Sequence, residues 1–281
     1  MTDNFIAADD RTLFKVSLTQ KVVGVITSLA FLQIALFPTE FSVFGSPNVL
    51  KNNIFKLDDY LGRKVTVGEK LLFNFILYLP FIILHSIMSK MWFKSAMQRH
   101  WRNYVFYERL LFNLGASISS LFMLAFYQPD DRVLFSINFP YAKVVWYALY
   151  VLGLLLSAWA LADMGENDLY CFGLLKDFRA KKGSKFPAFV SLKTESILRA
   201  SCRHPLGFAT YLYNAFGPTV YTATRLGHII TLFTYIYIGT QFEEKSLKAV
   251  PGYVDYMKAT PNKFIPDVRV WVRGVKARKK D

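Results

Sequence analysis

Cysteine is nearly absent from this chain of 281 residues: Cys171 and Cys202 are the whole complement. Two thiols make neither a zinc spacing nor a disulfide framework, so both are read as free. Acid is scarce as well, with 20 Asp+Glu against 34 Lys+Arg and a formal net charge of +14. No RNP-like or zinc-finger pattern accompanies that charge, which sets nucleic acid aside as a partner. There is no internal repeat and no low-complexity tract. The opening stretch, "MTDNFIAADDRTLF", has no basic n-region, no early apolar core and few Arg. It is read as neither a signal peptide nor a transit peptide. An organelle destination stays open, because the first apolar run can itself act as a signal.

What the chain does have is apolar and aromatic surface. Hydrophobic residues make up 53% and aromatics 17%, with a mean hydropathy of +0.25. Six apolar runs stand out: Val22–Phe37, Leu71–Met88, Leu110–Phe126, Val144–Leu161, a fifth from Pro205 towards Tyr221, and a sixth over about Ile229–Phe242. A spanning helix needs roughly 20 residues. The expectation is an all-α, polytopic membrane protein of six transmembrane helices. Its last two runs, separated by "TATRLG", read as a tight helical hairpin. Pro80 and Gly217–Pro218 are expected to bend or end their helices.

The loop charges agree with that count. Lys+Arg number three in 1–21, five in 90–109, eight in 164–203 and ten in 241–281, which is 26 of the 34. With six spans these four segments share one side, so both termini fall on the positive face. The chain divides into an N-terminal extension with the first span (1–65), a membrane domain (66–266) and a basic tail (267–281). "RAKKGSKFPAF" (179–189) reads as a flexible loop, and "VRGVKARKKD" suits solvent or anionic lipid headgroups.

Four clusters carry chemistry. In "SCRHPLGFA", Pro205 stands where a helix tolerates proline, at its first position. The helix N-terminus then offers unpaired N–H groups, and Arg203 adds a bidentate cation. With His204 this makes an anion site at the membrane surface; the plain alternative is an interfacial cap. "TQFEEKSL" places Glu243 and Glu244 at the exit of the sixth run, where acids oppose the helix dipole. A bound cation explains them. The hairpin brings the two clusters to one side, where a zwitterionic amino-acid group satisfies both. His85, in "LHSIMSKMWFK", is a candidate acid or base, or a histidine bonded to a neighbouring helix. Glu108 and Arg109, in "YERL", face a cavity or partner, or are ordinary interfacial charges.

The order "HSIMSK", "YERL", "NDLYCFGLL", "CRHPLGFA", "GPTVYTATRLGHIITLFTYIYIGTQFEEKSL", "PNKFIP" resembles the NnrU/nurim family, and within it the methanethiol S-methyltransferases. These are similar to the membrane methyltransferases of the isoprenylcysteine carboxyl methyltransferase type. The resemblance runs from about Gly68 to Pro266. It implies S-adenosylmethionine as cofactor, with Arg203, His204 and Pro205 in the cofactor motif and Glu243 and Glu244 as its acidic partner. It also implies a thiol or lipid-like nucleophile, for which His85 is a possible base. The family motif continues Arg-His-Pro-x-Tyr-x-Gly. This chain has Gly207 in place of the Tyr and Ala209 in place of the Gly, and Gly252 stands close to its tyrosines.

Two readings follow. One is a membrane methyltransferase. The other is a non-catalytic, lipid-binding subunit of a larger membrane complex, such as a respiratory or ATP synthase assembly of the mitochondrial inner membrane; the endoplasmic reticulum is the other candidate compartment. The N-terminal extension and the altered motif favour that second reading. Its partners are anionic lipids and other subunits.

Overall fold

The fold comes from a computed structural model, which describes residues 55–101, 104–164, 196–249 and 251–272, with Val22. The first apolar run beyond Val22, the 165–195 loop with Cys171, and the tail from Arg273 onward lie outside the described residues. The elements are helices α1 (Leu57–Leu61), α2 (Val67–Met88), α3 (Met91–His100) and α4 (Tyr104–Phe126), strand β1 (Val133–Ser136), helices α5 (Pro140–Met164), α6 (Ile197–Ser201) and α7 (Pro205–Phe216), strand β2 (Val220–Thr222), and helices α8 (Ala223–Leu247) and α9 (Tyr253–Ala259). The protein is therefore mostly helical, as its apolar runs lead one to expect.

Two of these helices, α2 and α5, are long and apolar enough to cross a membrane. Only 17% and 22% of their apolar windows are buried. A core helix of a soluble protein would be mostly buried. Here Val144, Val145, Val151, Leu152 and Leu155 stand exposed along α5, which is what a lipid-facing surface requires. Helix α2 runs through Pro80 without ending there.

The chain divides into two compact units. Among the described residues the first holds Val22, 78–122 and Met164, and the second holds 55–77, 123–163 and 196–272. Within the first, Lys94 of α3 and Glu108 of α4 form a buried ion pair at 2.7 Å. The "YERL" acid is thus matched inside its own unit.

The second unit packs α5, α6 and α7 around Leu156, Ala160, Leu198 and Ala209, with Leu206, Phe208, Leu212 and Trp271 against them. Small residues let the backbones approach. A Cβ added at Gly153 would lie 2.7 Å from the Tyr213 amide nitrogen, so that glycine sets the close contact of α5 with α7. Ser196 caps α6, accepting from the Leu198 and Arg199 amides and donating to Asp163.

The fifth apolar run does not form a straight span. Helix α7 has 12 residues, or about 18 Å, against a hydrocarbon core of about 30 Å. Gly217–Pro218 ends it, and β2 then pairs antiparallel with β1, Tyr221 opposite Phe135. Their rings stack at 4.4 Å. The expected linker "TATRLG" is no linker: it is the end of β2 and the first turn of α8, with Thr222 as N-cap accepting from the Arg225 amide. Helices α7 and α8 still form an antiparallel hairpin, because the Tyr211 hydroxyl donates to the Phe233 carbonyl at 3.2 Å.

Candidate functional site

The site grows from the short extended step between α6 and α7. Pro205 takes the first helical position of α7, with His204 as N-cap. The step also pairs with the chain after α9: the Arg203 amide donates to the Asn262 carbonyl at 3.0 Å and the His204 amide to the Lys263 carbonyl at 2.9 Å. Arg203 then clamps that same strap through its side chain. Its Nη1 donates to the carbonyls of Thr260 (2.8 Å) and Pro261 (2.6 Å). The strap is fixed at four backbone points and cannot drift from the start of α7.

Glu244 is the centre of the charges. The hairpin returns it to the start of α7, where its Oε1 accepts from Arg203 Nε at 2.8 Å and lies 2.9 Å from His204 Nε2. Its other oxygen lies 3.7 Å from Lys263 Nζ. Burial alone would raise the Glu244 carboxyl, but the bonds from Arg203 and His204 outweigh it and hold the group below its usual range. Burial pulls the His204 imidazole down, against the two neighbouring glutamates. The pair is therefore a neutral imidazole donating from Nε2 to a carboxylate. Glu243 differs from its neighbour. Its side chain is 57% exposed, and its Oε2 lies 3.7 Å from His204 Nδ1.

The two clusters expected to bind opposite ends of one ligand thus bind each other in part. Arg203 is engaged as a clamp and Glu244 as its counter-charge. Exposed Glu243 and half-buried Lys263 keep capacity. Among the described residues Lys263 Nζ is out of contact with solvent and has no hydrogen-bond partner. It lies 5.4 Å from the ring centre of Tyr237 and 5.6 Å from that of Phe264. Sequence reasoning missed Lys263 and counted it only among the loop cations; the signal available was its place in "PNKFIP".

The motif departures have local causes. A Cβ on Gly207 would approach Phe264 Cε1 to 3.0 Å, so the strap's aromatic ring fills the space above that glycine. Phe264 also meets His204 (5.8 Å) and Tyr211 (5.1 Å) between ring centres. Ala209 is fully buried in the α5–α6–α7 core. Gly252 opens α9 at φ 81°, a left-handed conformation that favours glycine. It lets Tyr253 turn inward, and burial there raises the phenol.

His85 belongs to the first unit, where it packs between Phe81 and Phe112 at 5.4 and 4.7 Å. Cys202 is fully buried under the site, and burial pushes its thiol up to about 11, so it is no nucleophile. A second charged cluster, which the sequence did not suggest, lies at the other end of the hairpin. There Asp130 accepts from the Thr224 amide (3.0 Å) and hydroxyl (2.6 Å), Arg225 donates to the Val220 carbonyl (2.6 Å), and His228 lies 3.4 Å from Asn214 Oδ1.

No protein-family model matches the chain, and no solved structure does. Curated proteins do. The chain is 29% identical to methanethiol S-methyltransferase of Mycobacterium tuberculosis over 202 residues, covering 68% of this chain and 77% of the relative. Against the protein of that name from Pseudomonas deceptionensis the identity is 30% over 192 residues, 67% of this chain and 70% of the relative. Against methanethiol S-methyltransferase 2 of Bradyrhizobium diazoefficiens it is 27% over 207 residues, 72% and 75%.

Proposed function

The chain belongs to the methanethiol S-methyltransferase-like family of membrane proteins, and from that premise we propose that it methylates the sulfur of a small thiol with S-adenosylmethionine as donor. The observation that carries the reading is the Glu244 cluster. It gathers Arg203, His204 and Lys263 around one buried carboxylate and leaves a second, exposed carboxylate at its rim. Glu243 suits the cofactor's ammonium, and this half of the zwitterion fits the residues present.

When bound, the cofactor supplies a methyl group on a sulfonium, which needs little activation. The chain's own work is to hold, orient and exclude water. Pro205 starts α7 without losing a donor. Arg203 and His204, fixed by Glu244, hold the strap that walls the site. The thiol must lose its proton before its sulfur forms the new S–C bond. Both termini sit on the Lys/Arg-rich face, where the basic residues of 241–281 suit anionic headgroups. The α7–β2–α8 hairpin enters and returns on one side, so that orientation does not require α7 to span.

The test uses the full chain in nanodiscs. Calorimetry should show S-adenosylmethionine binding, and a labelled methyl group should pass to a small alkyl thiol. Absence of binding overturns the reading.

A further inference from the structure

We infer that helix α3 lies in the headgroup layer of the membrane and takes anionic phospholipid on its outer face, with Trp92 as the anchor and Arg99 as the cation. The depth follows from α2. Its 22 residues run about 33 Å, slightly more than a hydrocarbon core of about 30 Å, so its end at Met88 reaches a surface of the bilayer. Ile83, Leu84 and Ile87 are exposed along its last turns, which carries the lipid-facing surface up to that end. The turn that follows is tight. The Ser89 amide donates to the His85 carbonyl at 3.3 Å and the Lys90 amide to the Ile87 carbonyl at 2.9 Å. Helix α3 begins at once, at Met91.

The two faces of α3 differ. On the inner face Lys94 is buried in its pair with Glu108. Trp92, Ser95 and Arg99, spaced i, i+3 and i+7, share the opposite face, and all three are exposed. Trp92 is 63% exposed, and the cap residue Trp101 is exposed as well. Tryptophan so placed at the end of a span collects at the membrane interface, where its apolar ring and its N–H both find partners. No acid answers the outer cations. The sequence has none between Glu69 and Glu108. Among the described residues of the first unit Glu108 is the only acid, and Lys94 holds it from the inner side. The guanidinium of Arg99 is a planar fork of donors that suits a phosphate. A zwitterionic headgroup would also bring an ammonium, for which this face has no carboxylate. An anionic headgroup brings none, so the charges of the face select it.

The test reads lipid contact directly. The full chain carries a fluorophore at Ser95→Cys in a Cys171→Ser background and is placed in nanodiscs; Cys202 is fully buried and stays unlabelled. The probes are phosphatidylglycerol and phosphatidylcholine, each with a nitroxide near the top of one chain and each supplied at the same share of one mixture. Both should quench the label, phosphatidylglycerol roughly fivefold more effectively, the worth of one cation at an anionic surface. High salt should shrink that preference. Arg99→Gln should make the two lipids about equal, whereas Arg99→Lys, which keeps the cation, should retain most of the preference. Trp92→Ser should weaken quenching by both lipids. A label quenched by aqueous iodide and by neither lipid would place α3 in water and overturn the assignment. Equal quenching by the two lipids before Arg99 is changed, or a preference that survives Arg99→Gln, would overturn the selection of anionic lipid by Arg99. No arm involves S-adenosylmethionine, so the outcome stands apart from the proposed function.

Discussion

The two ends of the α7–α8 hairpin both hold buried charge, yet they are built differently. At the far end every member is shut in: Asp130 is 4% exposed, Thr224 1%, Arg225 6%, His228 5% and Asn214 2%. Their partners are the ends of helices and the strand β2, so the cluster ties secondary structure together. One oxygen, Asp130 Oδ2, takes no hydrogen bond, although Asp131 and Arg132 next in the chain are exposed. At the near end one carboxylate collects three basic side chains, a strap closes over it, and exposed Glu243 opens it to solvent. Unfilled hydrogen-bonding capacity alone does not mark a ligand site. Capacity together with access does, and at the near end exposed Glu243 supplies the access.

The largest way to break this contrast is to remove the near end's centre. Glu244→Ala leaves Arg203, His204 and Lys263 facing one another with only the exposed Glu243 carboxylate at their rim. Breaking a buried ion pair from one side costs about 3–5 kcal/mol. Thermal and denaturant unfolding in detergent should show a loss of that order, and ligand binding should vanish. A loss below about 1 kcal/mol would mean that water reaches the cluster and that the near end is no tighter than an ordinary surface pair.

Glu243→Ala separates access from architecture. Its carboxylate is exposed and meets His204 Nδ1 at 3.7 Å, beyond hydrogen-bond reach, so stability should move by less than about 0.5 kcal/mol. Affinity for S-adenosylmethionine should fall roughly 10- to 150-fold, the loss of one charged hydrogen bond. Thr224→Val at the far end should do the reverse. It removes a hydroxyl donor from buried Asp130 and should cost about 1–3 kcal/mol of stability, with affinity within about twofold of the unaltered protein. If Thr224→Val weakened binding more than Glu243→Ala did, the roles of the two ends would be reversed.

The near end was largely legible in the sequence, because its chemistry is local. Arg203, His204 and Pro205 are consecutive, as are Glu243 and Glu244, and the apolar run between them implied a return. The family could be read from the same stretches. The assignment of partners was not legible. Sequence placed Arg203 against a ligand, whereas the chain places it against the Thr260 and Pro261 carbonyls, which carry no side-chain signal. Lys263 needed the strap's path to stand out from the other loop cations. The fifth run misled for a related reason. Its residues are as apolar as those of a span, but Gly217–Pro218 stops α7 and hands Val220–Thr222 to β1, and pairing with a strand 84 or more residues earlier in the chain leaves no local pattern. The far cluster is invisible for the same cause, since Asp130 and Thr224 lie 94 residues apart.

The smallest expected effect is a pH dependence that belongs to the near end. His204 is buried, faces Glu243, Glu244 and Lys263, and has its imidazole held below the usual value of 6.5. An unfolded chain therefore takes up a proton near pH 6.5 that the folded chain refuses, so the unfolded state binds more protons in that window. Stability from this group is complete above pH 6.5 and is lost as pH falls through the folded value. Glu244 acts in the same sense at lower pH, since its folded carboxyl is held below 4.5. One proton changes stability by at most about 1.4 kcal/mol per pH unit. His204→Gln, which keeps a donor for Glu244 and cannot titrate, should flatten the loss between pH 6.5 and 5 and leave the acid limb of Glu244 in place. The check is denaturant unfolding of both proteins across that range. An unchanged slope in the variant would place the titrating group elsewhere and would argue that the His204–Glu244 contact is already charged at neutral pH.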